Sequence, residues 1–172
     1  MDHIDILTDF ARRPLHTANL VLSGIGADTL HAMPGKNGNS IAWLIWHAAR
    51  QLDAQVADLQ GKPQLWVSGW AERLGQSPDP AATGFGHTHA EVAALRMNSS
   101  GDLQDYLTAV VEDLVAYVQT LGSDDLDAII DESWDPPVRR GVRLVSTIDD
   151  AIAHIGQAAY ARGVTEDWGI GY

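Results

Sequence analysis

Residues 40–59 read SIAWLIWHAARQLDAQVADL, and this stretch decides the fold class. Its apolar side chains recur every three or four positions, which is the period of an α-helix with one buried face. They are Ile41, Leu44, Ile45, Ala48, Leu52, Val56 and Leu59. Asn39 or Ser40 can cap the amino end, and Gly61 with Pro63 stops the pattern. The stretch therefore predicts an amphipathic helix that packs against other helices.

Three further segments show the same helical period, at residues 4–23, at 102–121 and from 144 or 146 to 162. Pro14 predicts a kink or a restart in the first segment, and Gly163 is expected to end the last. No glycine-rich phosphate loop follows a strand, so nothing indicates a parallel sheet. We therefore predict an all-α protein, a four-helix bundle with long crossover connections, in which residues 1–172 form a single domain.

Two connections in this bundle are long. Residues 61–88 are rich in Gly, Pro and Trp, and loops of this length in compact domains are often functional. A short helix is expected near residues 90–97. Residues 129–143 contain Pro136-Pro137 and Gly141, which predict a loop or a short hairpin.

Charge and composition exclude several classes of function. The chain of 172 residues has a formal net charge of -12. Nucleic-acid binding needs basic patches that displace counterions, so no nucleic-acid partner is expected, and anionic membranes are disfavoured for the same reason. The amino end lacks a basic region before an apolar core, and the apolar run 41–46 is too short to cross a bilayer. We expect a cytoplasmic protein.

The complete absence of cysteine narrows the chemistry. It excludes disulfides, cysteine nucleophiles and thiolate zinc sites within the chain. A metal ion would have to be held by His, Asp or Glu, and a reactive thiol would have to come from a ligand. No Gly-x-Ser-x-Gly elbow indicates a serine nucleophile.

Histidines and carboxylates are therefore the candidates for a functional site. Asp150 and His154 are four positions apart on the last predicted helix, a spacing that lets two side chains reach one cation. The alternative is a solvated polar face. His47 flanks the apolar stripe of its helix, where a structural, hydrogen-bonded histidine is the alternative. A shared site requires that His47 face Asp150 and His154 across the bundle.

The aromatic residues and the second loop leave two interpretations open. Trp43 and Trp66 can pack in the core and anchor loops, or they can line a pocket for a flat ligand. His87 and His89 precede the short predicted helix, where they can be exposed, contact the helix end or contribute to a pocket.

Two motifs resemble those of a known family. Residues 40–50, SIAWLIWHAAR, are similar to the second-helix motif of the DinB-like superfamily, an apolar run that ends in a histidine. Residues 150–163, DAIAHIGQAAYARG, resemble the last helix of that superfamily, where a histidine precedes a Gly-Gln pair and an Arg-Gly end. The loops at 66–73 and 84–88 also resemble this group, so the similarity covers nearly the whole chain in the right order.

The resemblance implies a four-helix bundle, often dimeric, of the type seen in mycothiol-dependent maleylpyruvate isomerase. Members of the superfamily bind a divalent metal through a histidine on the second helix and a His-x-x-x-His pair on the last. By position, His47 matches the first ligand and His154 matches the last, while Asp150 stands in place of the middle histidine. Two histidines and a carboxylate suit Zn²⁺ or Ni²⁺. The aspartate also leaves open a site that no longer binds metal.

The function implied by the resemblance is a metal-dependent thiol S-transferase that acts on small electrophiles with mycothiol, bacillithiol or glutathione. Candidate substrate-pocket residues are Trp43, Arg50, Trp66, His87 and Gln157. The alternative is a non-catalytic small-ligand-binding or stress-related bundle that has lost its metal. The acidic surface does not forbid a homodimer.

Overall fold

The computed structural model describes residues 1–35 and 37–171. Its long helices are α1 (His3–Leu22), α3 (Ile41–Gln60), α6 (Ser100–Val118) and α8 (Arg140–Glu166). Between them lie the short helices α2 (Ala27–His31), α4 (Trp70–Arg73), α5 (His89–Ala94) and α7 (Ser123–Asp127), and a 3₁₀ turn at Trp66–Ser68. Strands β1 (Ile129–Asp131) and β2 (Val138–Arg139) form a short antiparallel hairpin. The predicted all-α class is confirmed.

The long helices form a closed ring around one core. Helix α3 packs against α6 and α8, and α1 packs against the same two helices. Helices α1 and α3 therefore lie on one diagonal, so the connection between them crosses an end of the bundle, as does the connection from α6 to α8. Fully buried apolar side chains from each helix meet at the centre, among them Val21, Ile45, Leu107 and Ile148. No helix among the described residues is both long enough and apolar enough to cross a membrane.

Helix α3 is the most deeply buried element. Every residue from position 41 to position 50 is buried, including the polar side chains of His47 and Arg50. Helix α3 packs against α6 and α8, and the long loop contacts it through the carbonyl oxygens of Pro80, Ala82 and Thr83. Ser40 caps the amino end through its hydroxyl, which accepts a hydrogen bond from the backbone N–H of Trp43 at 3.2 Å. Gly61 ends the helix in the left-handed conformation.

The structure excludes a restart at Pro14, and the prediction that the last helix ends at Gly163 was wrong. Helix α1 continues through Pro14 without a restart, and Pro14 is itself buried. Helix α8 begins at Arg140, directly after β2, and it runs through Gly163 to Glu166. The last turn is held by Arg162, which donates to Glu166 and lies over the ring of Trp168. A Cβ at position 163 would lie 2.9 Å from the carbonyl oxygen of Trp168, so Gly163 makes room for the returning chain rather than ending the helix.

Candidate metal centre

Three side chains from two neighbouring helices converge where α3 packs against α8. His47 on α3 and Asp150 and His154 on α8 each offer one ligand atom, and these atoms lie within 4.8 Å of one another. The Nε2 atom of His154 is 3.5 Å from Oδ1 of Asp150. The imidazole rings of His47 and His154 meet edge to face with their centroids 4.6 Å apart. The structure therefore brings together the three residues that the sequence analysis proposed as one set.

Hydrogen bonds fix the orientation of both imidazole rings. Nδ1 of His47 lies 2.6 Å from the carbonyl oxygen of Thr83, and a carbonyl can only accept, so this nitrogen carries the proton. Nδ1 of His154 is paired in the same way with Oε1 of Gln157 at 3.2 Å. In both rings the neutral tautomer leaves the lone pair on Nε2. Histidine ligands of metals are usually held in this manner by a partner on the other nitrogen.

An aromatic wall supports His47. The indole of Trp43 stacks on the imidazole with a centroid distance of 4.6 Å and an angle of 13° between the rings. Its Nε1–H donates to Nδ1 of His87 at 3.2 Å. Trp46 also stacks on His87, with the centroids 5.9 Å apart. Since a stacked ring cannot rotate freely, these contacts hold His47 and His87 in place.

Gly84 allows the loop to approach this wall. Its φ of +90° lies in the region that favours glycine. A Cβ at this position would lie 2.8 Å from Trp46, 3.0 Å from Nδ1 of His47 and 3.1 Å from Trp43. Only glycine therefore fits where the loop must come close enough for the Thr83 carbonyl to reach His47.

Burial lowers the pKa of His47 below its ordinary value of 6.5, because the charged imidazolium is poorly solvated inside the protein. The hydrogen bond to Thr83 and the charge of Asp150 raise this pKa, and His154 lowers it further. The net direction favours the neutral imidazole near pH 7. Neutral imidazole is the form that binds a metal ion.

The three side chains form a donor set that fits a divalent cation. Oδ2 of Asp150 is buried and has no hydrogen-bond partner among the described residues. A buried carboxylate oxygen without a partner is destabilising, and a cation would satisfy it. The three ligands line a cavity of about 350 Å³, which leaves space for an exogenous molecule beside them. Two imidazole nitrogens and a carboxylate with open positions suit Zn²⁺ and related ions.

The other predicted pocket residues divide into two groups. Trp43 and His87 line the cavity, and Gln157 lies behind His154 as its hydrogen-bond partner. Arg50 and Trp66 do not line it, which corrects their assignment to the substrate pocket. Both side chains are fully buried, and the guanidinium of Arg50 lies over the ring of Trp66 at 4.7 Å.

Arg50 cannot bind a ligand because its donors are already in use. It donates to the carbonyl oxygens of Pro80 at 3.0 Å and Ala82 at 3.1 Å, and to Gln64 at 2.8 Å. It also donates to Asp53 and Tyr106, at 3.2 Å each. Arg50 therefore ties α3 to the loop one residue before Thr83, whose carbonyl orients His47.

Asp53 is the counterion of Arg50 and holds a second part of the long connection. Its carboxylate accepts hydrogen bonds from the backbone N–H groups of Leu65 and Trp66, each at 2.8 Å. The hydroxyl of Tyr106 donates to it at 2.8 Å. The burial and the nearby carboxylate raise the pKa of Tyr106 well above its ordinary value, so the phenol stays protonated. This buried network fixes the loop that covers α3.

Sequence reasoning missed several contributors to the site. Thr83 acts through its backbone carbonyl, which leaves no side-chain signal. Gln51 lines the cavity one turn after His47, and that spacing could have indicated it. Phe85 also lines the cavity and is 87% exposed, and its position between Gly84 and Gly86 was the available signal.

Comparisons with known proteins agree with the fold. The model of the DinB superfamily matches residues 11–158. A solved structure described as a conserved protein from Enterococcus faecalis is 34% identical in sequence and superposes with a TM-score of 0.90. The match covers 98% of this chain and 99% of that one. No curated protein matches the sequence. The family match and this neighbour together show that the chain belongs to the DinB superfamily.

Proposed function

We propose that this protein is a metal-dependent S-transferase that joins a low-molecular-weight thiol to a small electrophile. The observation that carries the proposal is the convergence of His47, Asp150 and His154 beside an accessible cavity, with Nδ1 of each histidine held by a hydrogen bond and Oδ2 of Asp150 without a partner among the described residues. The DinB superfamily includes thiol transferases that depend on a metal, which agrees with this arrangement.

His47, Asp150 and His154 would hold the ion, and Zn²⁺ or Ni²⁺ suits the donor set. When bound, a divalent metal supplies the acidity that converts a coordinated thiol to its thiolate at neutral pH. The chain has no cysteine, so the nucleophilic sulfur belongs to the substrate thiol, for which mycothiol and bacillithiol are the candidates. A cytoplasmic location of the protein, where such thiols act, is part of this proposal.

The residues around the ligands have separate tasks in this proposal. Thr83 and Gln157 keep the two imidazoles in the tautomer that binds metal. Trp43 and Phe85 provide apolar walls of the cavity beside the site of the sulfur. In the neutral ring of His87, Nδ1 accepts from Trp43, so the proton resides on Nε2. His87 is therefore the cavity-lining group suited to donate a hydrogen bond from Nε2 to the electrophile as the S–C bond forms.

A non-catalytic ligand-binding bundle is the second candidate, and one contact favours it. The 3.5 Å approach between His154 and Asp150 can be an imidazolium–carboxylate pair that needs no metal. In that case the superfamily fold remains while the metal-dependent chemistry is lost. A homodimer is compatible with either function, and its mass in solution is measurable by light scattering.

The test begins with metal content. Purified protein and the variants His47→Ala and His154→Ala are dialysed against Zn²⁺ or Ni²⁺, and bound metal is measured by mass spectrometry. His89→Ala is the matched control, because His89 is exposed and lies outside the three-ligand cluster. We expect one equivalent of metal in the native and control proteins and loss in both site variants. Equal metal content in all four proteins would refute the assignment.

Activity is then measured with a thiol and an electrophile of known reactivity. Mycothiol, bacillithiol and glutathione are each supplied with monochlorobimane, whose fluorescence rises when its chlorine is displaced by sulfur. The metal-loaded native protein is expected to accelerate conjugation of one of these thiols. Metal binding without acceleration of any of them would favour the non-catalytic alternative.

A further inference from the structure

A second cavity of about 500 Å³ adjoins the metal centre and has no role in the function proposed above. Gln51 and Asp150 line both cavities, so the two are lobes of one cleft. We call the second one the Trp134 lobe. Residues that line it include Gln51, Gln55, Trp134, Val142, Arg143 and Asp150. A molecule lying in this lobe would therefore end at the carboxylate of Asp150.

The outer wall of the lobe is apolar and open to solvent. Trp134 lies in the turn between β1 and β2 and is 65% exposed. Val142, near the start of α8, is 58% exposed. A large indole surface left in water is unfavourable, and such exposure is typical of surfaces that contact a ligand. The wall offers a flat surface on which a planar or apolar group can stack.

The inner wall carries the guanidinium of Arg143, whose charge is paired with that of Asp131. Arg143 is three-quarters buried, and it donates to Oε1 of Gln55 at 3.0 Å and to Oδ2 of Asp131 at 3.3 Å. Asp131 does not line the lobe, and its other carboxylate oxygen is occupied by Ser133. These contacts use one N–H on each of two nitrogens, and the guanidinium has five. Arg143 is thus held in one orientation with donors left for a ligand.

Arg143 is also the cation of this cleft. Neither lobe is lined by another Lys or Arg among the described residues. The chain has a net charge of -12, so its general field repels anions and only a local cation can retain one. Arginine binds a carboxylate with two parallel hydrogen bonds, which adds geometric selectivity to the charge.

The spacing along α8 sets the length of the ligand. Arg143 and Asp150 are separated by two helical turns on one face, a rise of about 10 Å. A ligand whose anionic group lies on Arg143 would therefore place its other end at the metal centre when about 10 Å long.

We propose that the Trp134 lobe binds a small carboxylate with a flat apolar portion, the carboxylate on Arg143 and the apolar portion against Trp134. The role of this molecule as substrate of the metal centre rests on the proposed function. Its binding to the lobe does not rest on that function, because Asp150 is the one candidate metal ligand among the described residues that line the lobe.

The test uses 4-phenylbutyrate and its neutral analogue 4-phenylbutyramide as probes. Binding is followed by the shift of the Trp134 indole resonance in two-dimensional NMR, assigned with Trp134→Phe. We expect the carboxylate to bind about tenfold more tightly than the amide, since charge-assisted hydrogen bonds to arginine are lost with the charge. Equal affinity for the two probes would overturn the proposal.

Variants identify the charge responsible. Arg143→Met is expected to weaken 4-phenylbutyrate binding about tenfold without changing the affinity for the amide. Arg139→Met is the matched control, because Arg139 is more than half exposed, pairs with Asp127 and does not line the lobe. Arg143→Lys keeps the charge and should restore part of the affinity, which guards against a general effect of the substitution on folding. Unchanged binding in Arg143→Met, or equal loss in Arg139→Met, would refute the assignment.

The variant His154→Ala separates this proposal from the proposed function. It removes a metal ligand but no side chain of the lobe, so 4-phenylbutyrate should bind it as it binds the native protein. If the native protein takes up no metal and still prefers the carboxylate probe, the proposed function is refuted and carboxylate binding by the lobe is supported. If metal binds and the preference for the carboxylate is absent, carboxylate binding by the lobe is refuted and metal binding by the three side chains is supported.

Discussion

Replacing Arg50 with Met should weaken metal binding as well as the fold. The substitution keeps an apolar stem and removes every donor that Arg50 supplies to Pro80, Ala82 and Gln64. It also removes the charge opposite the buried carboxylate of Asp53. Breaking a buried ion pair in this way costs about 3–5 kcal/mol of folding free energy. The loop before Thr83 is then released from α3, and His47 loses the contact that orients it.

The expected loss of metal affinity follows from that last step. Partners that orient a metal-binding histidine typically contribute a factor of about 10 to 100 in affinity. Folding stability is measured by urea unfolding of the metal-free protein. Metal affinity is measured by titration calorimetry at a temperature where circular dichroism shows that the variant is folded.

Arg162→Met provides a matched control for general destabilisation. Arg162 is also buried, and it donates to the carbonyl oxygens of Val21 and Ser23 at the end of α1 and to Glu166. Its loss should lower the unfolding free energy while leaving metal affinity unchanged. If the two variants lose metal affinity equally, or if Arg50→Met binds metal like the native protein, the argument that Arg50 positions His47 is refuted.

Three further results are expected. Gly84→Ala should lower the free energy of unfolding by about 2–5 kcal/mol, because the backbone is left-handed and the new Cβ would meet Trp46 and His47. Gly86→Ala is the control: its Cβ would meet no described atom within 4 Å, so the loss measured by chemical unfolding should be only about 1–2 kcal/mol. The pKa of His47 is lowered in the folded protein, so below pH 6.5 the unfolded chain binds more protons than the folded one. The metal-free protein should therefore lose stability as the pH falls through 6.5. In a plot of the urea midpoint against pH, His47→Gln should lack this loss. Saturating Zn²⁺ or Ni²⁺ at about 100 times its Kd should add about 2.7 kcal/mol, or about 5–11 °C in Tm, to the native protein and nothing to His154→Ala. The same Tm shift in that variant would place the ion elsewhere.

The bundle could be predicted from the sequence because its determinants are local. The apolar period of residues 40–59, the Ser40 cap and the Gly61 stop act within a few positions, and α3 forms where they indicate. The end of α8 could not be predicted in this way. Gly163 is usually a stop signal, but here the contacts of Arg162 with Glu166 and Trp168 extend the helix by another turn. Those contacts depend on how the chain returns, which no short window contains.

The site could be predicted only in part, for a related reason. The pair Asp150 and His154 follows from helical spacing, but a polar pair on a helix face is consistent with a solvated surface until the facing helix is known. The role of Arg50 was misassigned because an arginine at the edge of an apolar stripe usually reaches solvent. Its burial is decided by the carbonyl oxygens of Pro80 and Ala82, about thirty positions away in the chain. Backbone partners of this kind have no signature in side-chain pattern.

His47 of the candidate metal centre and the loop at Thr83 are therefore coupled, and this coupling explains why a polar arginine lies within the bundle. A histidine on α3 can bind a metal with neighbours on α8 only if its ring is held against rotation, and that hold comes from the Thr83 carbonyl. The carbonyl stays in place because the loop is fixed to α3 through Arg50, and Gly84 lets it approach. Burying Arg50 requires a counterion, which Asp53 supplies while it also fixes the start of the connection at Leu65. An apolar core at these positions would be simpler to fold, but it would leave the loop, and hence His47, without a defined position.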